Sequence, residues 1–64
     1  MSSIAQVYQD RRDGGDWWYV KKSRDQRDYN RGIGKVKRFP TRAEALAYAE
    51  RVTEGDKSKL VVLS

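Results

Sequence analysis

With 64 residues, no cysteine and no histidine, the chain makes one domain without disulfides, thiolate or imidazole metal ligands, or imidazole acid–base chemistry. Its net charge is +5, and between Trp17 and Arg42 nine basic residues stand against two acidic ones, so that this stretch carries +7 and the remainder −2. No apolar run approaches the roughly 20 residues of a membrane span and no signal-peptide core stands at the start, so the expectation is a cytoplasmic single domain over residues 1–64, with anionic partners.

Ser3 to Gln9 reads as a first strand, with Ile4, Val7 and Tyr8 as its apolar content. Residues 10–16 read as a turn, in which Gly14-Gly15 tolerates positive φ. Asp10, Asp13 and Asp16 lack the alternate-position ligands and distal glutamate of a calcium loop, so they are turn residues rather than metal ligands. Asp16 to Ser23 is the second strand, rich in aromatic residues. Regular alternation puts Trp18 and Val20 on a core face free of charge, and Trp17, Tyr19 and Lys21 on the other.

Arg24 to Gly32 is polar and reads as a loop. Ile33 to Phe39 is a third strand with untidy alternation: Ile33, Lys35, Lys37 and Phe39 share one face, Val36 and Arg38 the other. Either a bulge near Gly34 shifts the register or a lysine stem lies across apolar surface. Gly32-Ile33-Gly34-Lys35 precedes a strand, whereas glycine-rich phosphate loops precede helices.

The next stretch organises the chain. Thr41 is an N-cap with Glu44 three residues on, as in a capping box, and Pro40 keeps the helix from starting earlier. Ala45, Leu46, Ala49, Val52 and Thr53 fall within one arc, while Glu44, Ala47 and Arg51 face away. Small side chains in that arc let the helix lie close to the aromatic second strand. Gly55 stops the helix, and Leu60 to Leu63 closes the chain as a strand apolar on both faces. Such a strand suits the centre of a sheet, or an edge completed by a partner, and a homodimer is expected. The order β-β-β-α-β gives an α+β fold: a small antiparallel sheet with one helix packed on one face.

The spacing of Gly-Gly-Asp-Trp-Trp-Tyr-Val-Lys (14–21), Phe-Pro-Thr-Arg-Ala-Glu-Ala (39–45), Ala49 and the closing Leu-Val-Val-Leu (60–63) resembles the small bacterial domain-of-unknown-function 2188 family. That resemblance covers nearly the whole chain from Ile4 and implies a fold, not an activity. Residues 17–52, basic strands followed by Phe-x-Thr-x-x-Glu-Ala, also resemble in part the arm-type DNA-binding domain of tyrosine-family integrases. The second resemblance implies three strands laid on DNA with one helix bracing them from behind.

No nucleophile–base pair can be assembled, because no imidazole stands near any serine and no lysine reads as buried. Catalysis, metals and cofactors are therefore not expected. The residues expected to bind nucleic acid are Trp17, Tyr19, Lys21, Arg24, Arg27, Arg31, Lys35, Lys37 and Arg38. The basic hairpin and loop would contact the phosphate backbone, with duplex DNA as the favoured ligand. The alternative is a protein-interaction module, such as a phage or mobile-element accessory or inhibitor protein, because arginine with tryptophan and tyrosine is also the composition of protein hot spots.

Overall fold

The register of the first hairpin decides which side chains reach the core. The computed structural model describes residues 3–11 and 15–63. In it β1 (Ile4–Gln9) and β2 (Trp18–Ser23) pair antiparallel, with Val7 opposite Val20 and Tyr8 opposite Tyr19. Side chains alternate across a strand, so Ala5, Val7, Trp18 and Val20 share one side, and Gln6, Tyr8, Tyr19 and Lys21 the other. The division of the aromatic strand read from sequence is thus the one observed, although β2 begins at Trp18 rather than Asp16. The expected turn over 10–16 includes residues 12–14, which lie outside the described residues.

After β2 the chain is not the expected loop. It forms a short helix, α1 (Gln26–Asn30), whose N-cap Asp25 accepts a hydrogen bond from the Asp28 amide at 2.8 Å. Next, β3 (Lys35–Phe39) pairs antiparallel with β2 in continuous register, from Phe39 opposite Trp18 to Lys35 opposite Lys22. No bulge shifts this register; the untidy alternation is resolved by the lysine stem instead. Lys37 lies on the core side at the edge of the sheet, its Nζ 5.7 Å from the Phe39 ring centroid and 4.9 Å from that of Tyr48. Gly34 is required just before β3, because a Cβ there would come within 2.7 Å of the Lys22 carbonyl oxygen.

The main helix, α2 (Arg42–Val52), starts as its sequence dictates. Thr41 Oγ1 accepts from the Glu44 amide at 3.2 Å. Ala45 and Ala49 are fully buried in one cluster with Ala5, Val7 and Val20, and Trp18, Phe39, Leu46, Tyr48, Val52 and Leu60 pack around it. Two alanines at the contact bring the helix backbone close to the sheet, so two valines suffice to fill the centre. The helix ends in a Schellman motif: the Gly55 amide donates to the Glu50 carbonyl at 3.0 Å and the Glu54 amide to that of Arg51 at 3.2 Å. Glu54 occupies the left-handed position at φ 55°, where glycine is the usual residue, and Gly55 follows at φ 79°. The buried Thr53 hydroxyl donates back to the Ala49 carbonyl at 3.0 Å.

A 3-10 turn (Lys57–Lys59) then leads into β4 (Leu60–Val62), which pairs parallel to β1. The sheet is therefore mixed, where a wholly antiparallel one was expected, and its order is β3-β2-β1-β4. The reason is the direction of travel. β3 already runs parallel to β1, and α2 carries the chain back over the core to begin a further strand from the same end. The α+β class and the packing of α2 on one face stand. Of the two settings offered for the apolar last strand, β4 takes the edge. No helix among the described residues is long and apolar enough to cross a membrane.

Candidate nucleic-acid interface

Since α2 covers one face of the sheet, the described residues leave most of the other face open, and the pleat decides which of the expected residues stand on it. Tyr19, Lys21 and Arg38 do, by the pairing of Tyr19 with Arg38. Trp17, just before β2, joins them: the Arg38 guanidinium carbon lies 4.1 Å from its ring centroid. Tyr8, opposite Tyr19 on β1, stacks on it with ring centroids 5.5 Å apart and planes 17° from parallel. These two stacks form a band across β1, β2 and β3.

The band is only partly covered. Trp17 is 36% exposed, and Val36 and Leu63, which share the open face by register, are 52% and 46% exposed. Gln6, Tyr8, Gln9, Lys21 and Leu63 line a shallow depression beside it. Burial, then the negative charge of Asp10, then Tyr19 raise the Tyr8 pKa, so its hydroxyl remains a hydrogen-bond donor throughout the neutral range. In the sequence Tyr8 reads only as strand content; the register that brings it beside Tyr19 depends on the turn length, which alternation alone does not supply.

One end of the open face is closed by the β2–β3 connection. Ser23 is fully buried and donates from Oγ to the Ile33 carbonyl at 2.9 Å, while the Lys21 ammonium donates to the Gly32 carbonyl. Lys21 therefore pins the connection as well as contributing charge. On α1 and its flanks, Arg24, Arg27 and Arg31 are exposed. Arg24 Nε lies 3.9 Å from both Asp25 and Asp28, an exposed arrangement of little energetic weight that still offsets its charge locally.

Lys35 and Lys37 fall on the core side of β3, away from Trp17 and Tyr19. The expected set is thus divided, with Arg38 alone of the β3 cations on the aromatic face. Lys35 stands directly opposite Lys22 across the β2–β3 pair, both exposed. Like charges placed opposite each other weaken a sheet, and a bound anion relieves that repulsion. Basic side chains consequently flank the β2–α1–β3 unit on both faces and at its tip. Among the described residues no group of three or more carboxylates could hold a metal ion.

No protein-family model, curated protein or solved structure matches the chain.

Proposed function

We propose that this protein is a small, non-catalytic nucleic-acid-binding module that contacts the phosphate backbone through the basic β2–α1–β3 unit. The observation that carries this reading is the like-charge pair Lys22–Lys35 in a unit that also exposes Arg27, Arg31 and, on the opposite face, Arg38, within a stretch of net charge +7. Such a concentration costs folding free energy in the free protein and is relieved by a polyanion. The acidic residues of the same stretch are engaged locally: Asp25 caps α1, and Asp25 and Asp28 both approach Arg24. The test is fluorescence anisotropy of labelled duplex DNA, single-stranded DNA and RNA at low and moderate salt. Submicromolar binding that weakens steeply with salt supports the reading, and no binding at low salt refutes it.

A second reading rests on a different observation. At the β4 edge Val62 and Leu63 are 40% and 46% exposed, and an edge strand with apolar side chains is a template for another chain. That chain is either a host protein or a second copy of this one. Sedimentation equilibrium separates them: a dimer mass that Val62→Lys reduces to a monomer supports self-association, and a monomer at high concentration rules it out.

A further inference from the structure

We infer that the open face of the sheet is a stacking platform for single-stranded nucleic acid, with Trp17 as its principal base contact and the Tyr8–Tyr19 pair as its second. The inference rests on the nucleic-acid reading and names the ligand class within it. The electrostatics alone fit any polyanion. The aromatic band discriminates, because its π-faces are useful only to bases that are free to leave their own stack.

Three features of the band argue for that ligand. The rings stand on a sheet face that α2 does not cover, and Trp17 remains exposed although tryptophan is among the most favourable side chains to bury. Trp17, just before the interior strand β2, and Tyr19 on it are two residues apart, about 7 Å at the rise of a strand. They are therefore neighbouring platforms rather than one contact. The third is the pairing of Arg38 with Trp17: the guanidinium carbon lies over one face of the ring, 4.1 Å from its centroid, which fixes the ring with a cation on one side and assigns the base to the other. A phosphate attached to a stacked nucleotide meets that charge, and Lys21 lies next to Tyr19 on the same face of β2. Arg27 on α1 and Arg31 at its C-cap, both exposed, belong to the connection that closes one end of the face and add positive charge there.

A duplex gains little from this surface. Its bases are already stacked, and Tyr8 and Tyr19 are half-buried in the sheet rather than projecting from it. Only the phosphate term would remain, and for that the helix-side Lys22–Lys35 pair serves as well as the open face.

The experiment compares a labelled dT15 strand, a U15 strand and a 15-base-pair duplex against the wild type, Trp17→Ala and Tyr19→Leu, at fixed low salt. A Lys35→Gln variant, which removes a phosphate-binding cation and no ring, is expected to weaken strand and duplex alike. Tyr19→Leu preserves apolar bulk, and far-UV circular dichroism establishes that each variant is folded. The single strands are expected to bind more tightly than the duplex. Trp17→Ala should weaken them by about fivefold to a hundredfold, the cost of one lost base stack, with less than threefold change for the duplex. Trp17→Phe should recover part of the loss. Equal losses for strand and duplex, or an unchanged single-strand affinity in both aromatic variants, would overturn the platform while leaving the nucleic-acid function in place. Absence of binding to all three probes would instead overturn the function itself.

Discussion

Replacing Ala49 with leucine tests how closely α2 lies against the sheet. Ala49 is fully buried in the cluster with Ala5, Val7, Val20 and Ala45, so a longer side chain has no solvent to enter. Leucine adds roughly three methylene-sized groups, which would contribute about 0.8 kcal/mol each if they could be buried without strain. They cannot be: either α2 lifts from Val7 and Val20, exposing the rings of Trp18 and Phe39 at the margin, or side chains leave their rotamers. Overpacking of this kind typically costs about 1–3 kcal/mol net. In a domain of this size each kcal/mol lowers the melting temperature by about 4–8 °C. The matched control is Ala47→Leu on the exposed side of the same helix, where only a few tenths of a kcal/mol in helix propensity change. Thermal melts followed by far-UV circular dichroism read both. Equal shifts for the two substitutions, or a stabilised Ala49→Leu, would refute the packing described.

Two further changes act at the ends of α2. Thr41→Ala removes the acceptor of the Glu44 amide and should cost about 1 kcal/mol in a urea titration, with an unchanged m-value. Glu54→Gly relieves a left-handed residue at φ 55° and should stabilise the domain by up to about 1 kcal/mol, whereas Glu54→Val should destabilise it; the same titration ranks the three proteins. Acidification gives a separate readout at Asp56, whose pKa is lowered by hydrogen bonds from the Ser58 hydroxyl and amide. Its contribution to stability is present above the ordinary carboxylate pKa and is lost as pH falls through the lowered one, and Ser58→Ala should raise that pKa toward its ordinary value in a two-dimensional NMR titration.

The parts of the fold legible in the sequence are those set by local chemistry. Thr41 and Glu44 state where α2 begins, the small residues Ala45 and Ala49 state which face it buries, and the strand period separates Trp18 from Trp17. Pairing partners were less legible. A helix of only five residues carries no amphipathic pattern, so α1 hides in a polar segment; the Asp25 cap three residues before Asp28 is the one signal that could have marked it. The parallel placement of β4 follows from how α2 returns the chain, which no property of Leu60–Val62 encodes. At the candidate site, the alternation of β2 was enough to set Trp17, Tyr19 and Lys21 together. It could not add Tyr8, because a cross-strand neighbour depends on hairpin register. Charge alone groups Lys35 and Lys37 with the aromatics, and the pleat separates them.

The central claim is that a polyanion binds through the cations of the β2–α1–β3 unit, and the salt dependence of affinity tests it most directly. Anisotropy titrations of dT15 over a tenfold range of salt should give a straight line of log affinity against log salt, falling by about 0.7 for each single-strand phosphate neutralised. Replacing Arg27, Arg31 and Lys35 together with glutamine should make that slope shallower by up to about 2 without lowering the melting temperature, because all three side chains are exposed and the Lys22–Lys35 repulsion is removed. A slope near zero, or the same slope in wild type and the triple variant, would contradict the account.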